Sequence, residues 1–137
     1  MTWAFDVDGT LVGSIRSNAL RPGAVDLLLA LAGRGVDCVL WSAGGAEYAH
    51  LMAVRHRIDG HFVACYAKAS RDADGRYLTD HFADADQPTV FVDDSPIDLP
   101  INAQIIPVPQ FLGNNPNDRG LVVVLAELDQ HLLAAQA

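Results

Sequence analysis

Residues 2–11, TWAFDVDGTL, decide the fold that we predict for this chain. They open with a short apolar and aromatic run, residues 2–7, which is typical of a buried strand. Two acids, Asp6 and Asp8, lie at the end of the run, and Gly9 follows them and lets the backbone turn sharply. We therefore expect a strand that ends in an acidic turn.

Further apolar segments, each bounded by turn residues, follow along the chain. Helices are predicted at residues 24–32 and 46–57 and along a closing stripe formed by Leu121, Leu125, Leu128 and Leu132. Further strands are predicted at residues 36–41, 61–66, 89–92 and 103–108. Residues 70–86 are polar and give no assignment beyond a turn at Asp74-Gly75. Alternation of strands and helices predicts an α/β fold: a doubly wound, Rossmann-like parallel sheet in three layers, with helices on both faces. We expect the first strand between the second and the fourth.

Composition bounds the class of protein. The 137 residues suit one domain spanning 1–137, and half of them are apolar, which indicates a globular chain. The net charge of −8, from 17 acids and 9 bases, argues against general nucleic-acid binding. No apolar run approaches the roughly 20 residues of a membrane span, and the start lacks signal-peptide features. We expect a cytoplasmic protein without membrane partners, with Cys38 and Cys65 as reduced, buried thiols.

The chemically distinctive side chains follow predicted strands: Asp6, Asp8, Ser42, Lys68, Asp93 and Asp94. Lys68 is the only lysine of the chain. The carboxyl ends of parallel strands meet in one crevice, so these side chains should converge there. Carboxylates packed so closely raise one another's pKa, and Mg²⁺ is the usual cation where oxygens and a phosphate are the ligands. A carboxylate can also attack phosphorus and form an aspartyl phosphate. The pattern therefore favours magnesium-dependent phosphoryl transfer.

Asp6-Val-Asp-Gly-Thr-Leu11 resembles the first motif of the haloacid dehalogenase-like (HAD) phosphatase superfamily. Ser42, which follows an apolar strand, resembles the second motif. Lys68 resembles the third motif, and Asp93-Asp94 resembles the fourth. The motifs occur in the family's order, and the resemblance covers Met1 to about Pro109. Residues 40–48 and 92–96 are also similar to the phosphoprotein-phosphatase branch that acts on an RNA polymerase tail. That branch usually has Glu-Thr at positions 9–10 and Asn at position 94.

The resemblance implies a role for each matching residue. Asp6 is the expected nucleophile and a metal ligand. Asp8 is the expected general acid and then general base, with its backbone carbonyl on the metal. Ser42 and Lys68 bind the phosphoryl group, and Lys68 also offsets the charge of Asp6. Asp94 is the expected direct metal ligand with Asp93 in support, although the two could be reversed. The expected contacts to the phosphorylated substrate come from Gly9, Thr10, Ser42, Ala43 and Lys68. The superfamily's dehalogenases lack a carboxylate at position 8, so Asp8 favours phosphate chemistry.

No cap domain is expected, because only about ten residues separate Leu11 from Pro22. An open site suits a macromolecular phosphoester, such as a phosphoprotein, or a small one covered by a neighbouring copy in a homo-oligomer. Candidates for further substrate contacts are Arg16, Arg21, Arg71 and Arg76.

Other interpretations stay open at this point. Taken singly, the acidic motif could be only a turn, and Ser42 could cap the following helix. Lys68 could be a solvated surface side chain. Asp93-Asp94 could mark the start of a helix. Trp41 and Tyr48 are predicted to be core residues. A non-enzymatic receiver domain uses a similar acidic cluster, and an inactive, regulatory HAD member would keep the same scaffold.

Overall fold

The structure is a computed structural model that describes residues 1–100 and 103–136. The strands are β1 (Thr2–Asp6), β2 (Asp37–Ser42), β3 (Ala64–Ala67), β4 (Val90–Asp93) and β5 (Gln104–Pro107). The α-helices are α1 (Ala24–Gly33), α2 (Ala46–Arg55), α3 (Gly120–Ala126) and α4 (Leu128–Gln136). Short 3₁₀ turns cover Asp59–His61, Asp84–Asp86 and Pro96–Asp98.

The five strands in the described part of the chain pair in parallel, in the order β3-β2-β1-β4-β5. The predicted position of β1, between β2 and β4, is confirmed. The chain forms a single-domain α/β fold of Rossmann-like architecture, as the sequence predicts. Strands β2 and β3 follow on one side of β1, whereas β4 and β5 follow on its other side. Folds of this kind usually bind ligands at the point between two such halves, which here lies between β1 and β4.

Two layers cover the sheet, one on each face. Trp3 and Phe5 of β1 pack with Leu27 of α1 in a cluster to which all four α-helices contribute. On the opposite face, Trp41 packs in a second cluster with Phe82, Phe91 and Leu99. Phe82 and Leu99 come from the β3–β4 and β4–β5 connections, so the sheet is doubly wound.

The second covering layer differs from the prediction in its local structure. Where α-helices were expected on both faces, its described residues form turns and 3₁₀ helices. Residues 70–86 contain five aspartates and no helical apolar repeat, so a helix there would have no stripe to bury. Aromatic packing takes its place: the rings of Tyr66 and Phe82 stack with centroids 3.9 Å apart.

The start of β3 and the course of the closing helix also differ from the prediction. Strand β3 begins at Ala64 and not at residue 61, because Asp59–His61 form a 3₁₀ turn. The closing helix bends at Glu127, where φ is −103°. Main-chain bonds continue across the bend, from the Glu127 N–H to Val123 and from the His131 N–H to Glu127. The predicted leucine stripe is therefore carried by two helical segments.

Both cysteines are free thiols. Burial, helped by the charge of Asp37, raises the pKa of Cys38 to about 12. Burial also raises the pKa of the half-buried Cys65, so both groups stay protonated at neutral pH. Among the described helices, none has the length and apolar character needed to cross a bilayer.

Candidate active site

Three carboxylates meet at the carboxyl edge of the sheet, at the point where the winding reverses. Asp6 ends β1, Asp93 ends the neighbouring strand β4, and Asp94 follows directly. One oxygen from each of these side chains lies within 4.8 Å of the other two. Asp6 and Asp93 are buried, and Asp94 is half-buried. The sequence prediction that β1 and β4 bring their acids together is confirmed.

Lys68 joins two of the three carboxylates. Its Nζ lies 2.9 Å from Asp6 Oδ1 and 2.9 Å from Asp93 Oδ2. The side chain is 8% exposed and passes over the ring of Trp41, 5.1 Å from the ring centroid. Burial lowers the pKa of Lys68, but the charges of Asp6 and Asp93 outweigh burial and the net shift is upward. The ammonium is therefore held charged against the acidic pair.

One lysine does not offset the negative charge of the site. Burial, followed by the charge of Asp93, raises the pKa of Asp6 to about 8 although Lys68 acts in the opposite direction. Burial likewise raises the pKa of Asp93 against the effect of Lys68. The carboxylate cluster thus favours a further positive charge, either a proton or a bound cation.

Gly9 and Thr10 support the carboxylates. The Thr10 hydroxyl lies 3.1 Å from Asp6 Oδ2 and 3.2 Å from Asp94 Oδ1, and it accepts a bond from the Asp94 N–H. Gly9 has φ +82°, and a Cβ at this position would stand 2.3 Å from Asp94 Oδ2. Thr10 is fully buried, and the Gly9 N–H donates to Val12 O. The Thr10 hydroxyl and the Gly9 N–H are therefore used within the protein, and the contacts of these residues with a phosphate stay a prediction.

Asp8, the second acid of the turn, accepts a hydrogen bond from Tyr48. The Tyr48 hydroxyl donates to Asp8 Oδ1 over 2.6 Å. Burial, followed by the hydrogen bond to Asp8, raises the pKa of Tyr48 to about 12 although Arg55 acts in the opposite direction. Trp41 is a core residue as predicted. The prediction for Tyr48 is wrong in part, because its ring packs against the core while its hydroxyl reaches the site.

Ser42 shapes the turn between β2 and α2. It is 2% exposed, its Oγ accepts the Gly44 N–H over 3.0 Å, and its carbonyl accepts the Lys68 N–H. The N-cap residue of α2 is Gly45, so Ser42 does not cap this helix. Ala43 lies exposed at the turn. The backbone of Ser42 therefore adjoins that of Lys68, as expected for residues at the carboxyl ends of neighbouring parallel strands.

Arg21 is a buried structural residue and not a substrate contact. It is 1% exposed and pairs with Asp118 through two hydrogen bonds, of 2.6 and 3.2 Å. It also donates to the carbonyls of Gly9, Thr10 and Pro109. The acidic turn is thus fastened to the segment between β5 and α3. No local sequence pattern marks these contacts, because the acceptors lie near residues 9, 109 and 118.

Two other arginine candidates are held by the layer that contains Tyr77. The Arg71 guanidinium lies 4.1 Å from the Tyr77 ring centroid and pairs with Asp98. Arg76 donates to the carbonyls of Ile97 and Leu99. Both are partly committed to the fold, whereas Arg16 lies exposed in the connection after the acidic turn.

Comparison with known proteins adds information on the fold. No family model matches the chain. No curated protein matches it either. Among solved structures, it is similar to a chain described as an uncharacterized protein from Listeria monocytogenes serotype 4b, with a TM-score of 0.60 and 16% sequence identity. The similarity covers 99% of this chain and 98% of that chain. At this identity the likeness shows a shared α/β architecture.

Proposed function

We propose that this protein is a magnesium-dependent phosphomonoester hydrolase of the HAD type that acts through an aspartyl phosphate on Asp6. The observation that carries the proposal is the setting of Asp6. Its two oxygens are held by Lys68 and Thr10, beside two further carboxylates at the edge of the sheet. This arrangement provides a fixed nucleophile, a countercharge and the ligands for a cation.

The donor set fits Mg²⁺. Hard carboxylate oxygens are the ligands that Mg²⁺ prefers, and three of them lie within 4.8 Å of one another. Asp6 and Asp94 would hold the ion with the backbone carbonyl of Asp8, and Asp93, bound to Lys68, would support them. When bound, the ion would neutralise charge on the phosphoryl oxygens.

Two steps follow from these residues. A carboxylate oxygen of Asp6 attacks phosphorus and forms an acyl phosphate. The bond from phosphorus to the leaving oxygen breaks, and Asp8 gives that oxygen a proton. Water then attacks the phosphorus, Asp8 takes a proton from the water, and the bond from phosphorus to Asp6 breaks. Inorganic phosphate leaves and the Asp6 carboxylate is restored. Lys68 offsets negative charge throughout.

The site would be open to solvent and to large substrates. The connection between the acidic turn and α1 has the small bridge Val12–Leu20 and no inserted domain. A phosphoprotein, or a small phosphoester covered by a second copy of the chain, suits such a site. The two free thiols agree with a reducing, cytoplasmic setting. A receiver domain would accept a phosphoryl group without continuous turnover.

The direct test is release of p-nitrophenol from p-nitrophenyl phosphate, measured with Mg²⁺ and with a chelator in excess. We expect many turnovers per protein molecule with Mg²⁺ and none in the chelator. A single stoichiometric release would indicate a receiver-like domain, and no release from this or any of a panel of phosphopeptides and phosphorylated metabolites would indicate a regulatory protein.

Mg²⁺ should also stabilise the fold, because it binds the folded carboxylate cluster and has little affinity for the unfolded chain. At 100 times its dissociation constant, the gain is ~2.7 kcal/mol in the free energy of unfolding. This should raise the melting temperature by several degrees. The measurement is a thermal melt of chelator-treated protein with and without Mg²⁺, repeated on Asp94→Ala. An equal shift in the variant would show that Asp94 is not a ligand.

A further inference from the structure

We propose that Tyr48 is a positioning residue that fixes the carboxyl group of Asp8 for proton transfer to the leaving group. The inference rests on the proposed function and assigns a role to a residue that lies within residues 40–48 and that the sequence predicts only as a core residue. Its basis is the hydrogen bond from the Tyr48 hydroxyl to Asp8 Oδ1, at 2.6 Å.

Asp8 needs such support because regular structure ends before it. Strand β1 stops at Asp6, and Asp8 lies in the turn that follows, where it is half-buried. Tyr48 sits in the first turn of α2, a helix whose buried residues pack in the core cluster. The hydroxyl is therefore delivered from a rigid element to a side chain on a loop. Oδ1 is occupied by the tyrosine, which leaves Oδ2 to exchange a proton.

The turn after β2 packs closely against the ring of Tyr48. Gly44 packs so closely on Tyr48 that a Cβ at this position would lie 2.8 Å from Cδ2 of the ring. The same Cβ would stand 3.4 Å from Ser42 Oγ, which holds the Gly44 N–H. Tyr48 thus packs against the turn that carries Ser42 and bonds the residue proposed as the general acid.

The loss of rate on removal of the Tyr48 hydroxyl should therefore depend on the leaving group of the substrate. A nitrophenolate departs readily without a proton, whereas an alkoxide must be protonated as its bond to phosphorus breaks. General acid catalysis contributes about 10²–10⁴-fold where it is needed. Loss of the Tyr48 hydroxyl should therefore slow cleavage of an alkyl phosphate far more than cleavage of p-nitrophenyl phosphate.

The experiment measures kcat/KM of wild type and Tyr48→Phe on these two substrates with Mg²⁺. This ratio reports the steps up to leaving-group release and not the hydrolysis of the acyl phosphate. We expect Tyr48→Phe to lose about tenfold or more on the alkyl phosphate and less than about threefold on p-nitrophenyl phosphate, within the range of general acid catalysis.

The matched control is Tyr66→Phe, which removes another tyrosine hydroxyl that donates to an aspartate, Asp86, in the opposite layer. Its losses should be small and equal on both substrates. In an Asp8→Asn background, Tyr48→Phe should cause no further leaving-group effect, because the group that it positions is gone.

Equal losses on both substrates in Tyr48→Phe, or a full additional effect in the Asp8→Asn background, would overturn the role of Tyr48 while leaving the phosphatase proposal intact. A wild type that cleaves neither substrate would overturn both.

Discussion

Asp6→Asn should abolish turnover and leave the fold intact. The amide has nearly the volume of the carboxylate, but it cannot attack phosphorus. Removal of the nucleophilic serine of a serine protease lowers kcat by on the order of 10⁶, and for the proposed activity of this protein we expect a loss of at least about a thousandfold. Lys68 should keep its ion pair with Asp93 in the variant, because that contact does not involve Asp6. The measurement is steady-state hydrolysis of p-nitrophenyl phosphate with Mg²⁺, alongside circular dichroism.

Thermal melts give this variant a second, independent readout. Because burial and Asp93 raise the pKa of Asp6, a neutral amide suits the metal-free site at least as well as a carboxylate does. The melting temperature in chelator should therefore not fall, while the Mg²⁺-dependent shift should shrink. The control is Asp26→Asn, at an exposed position of α1, and this variant should retain full activity. Native-like circular dichroism with undiminished turnover in Asp6→Asn would remove Asp6 from the nucleophile role.

Arg21→Met should cause the largest loss of stability. The buried guanidinium has five hydrogen bonds to four residues, and methionine would leave Asp118 and three carbonyls without it. Removal of one partner from a buried ion pair typically costs ~3–5 kcal/mol. Chemical denaturation of the metal-free protein measures the free energy of unfolding directly.

The chain offers a matched control in a second arginine–aspartate pair. Arg34 bonds Asp129 at the surface, where the two side chains are 48% and 76% exposed. Surface pairs contribute about 0–1 kcal/mol, so Arg34→Met should lower the free energy of unfolding by no more than that. Similar losses in the two variants would mean that Arg21 does not fasten the acidic turn as the contacts indicate.

The sequence was sufficient to predict the strand order around β1 and the meeting of Asp6, Lys68, Asp93 and Asp94. The reason is that parallel strands impose one rule, which brings residues at their carboxyl ends to one edge. The rule could be applied because four short apolar runs are each followed by an acid, a serine or a lysine.

What could not be predicted depends on contacts between distant segments. Arg21 finds its acceptors near Pro109 and Asp118, and no local pattern marks that pairing. Tyr48 has the helical spacing of a core residue, and only the turn geometry brings its hydroxyl to Asp8. The layer around Phe82 lacks a regular repeat, so its packing follows from aromatic contacts.

In the proposed reaction, Asp6 carries the phosphoryl group. The most direct measurement incubates the protein, in wild-type form and as Asp8→Asn, with p-nitrophenyl phosphate and Mg²⁺, quenches in acid and analyses the peptides by mass spectrometry. We predict one phosphoryl group, labile to hydroxylamine, on the peptide that contains Asp6, with higher occupancy in Asp8→Asn because hydrolysis is slowed. A protein that turns over substrate without phosphorylation of Asp6, or with the group on another residue, would contradict the proposed reaction.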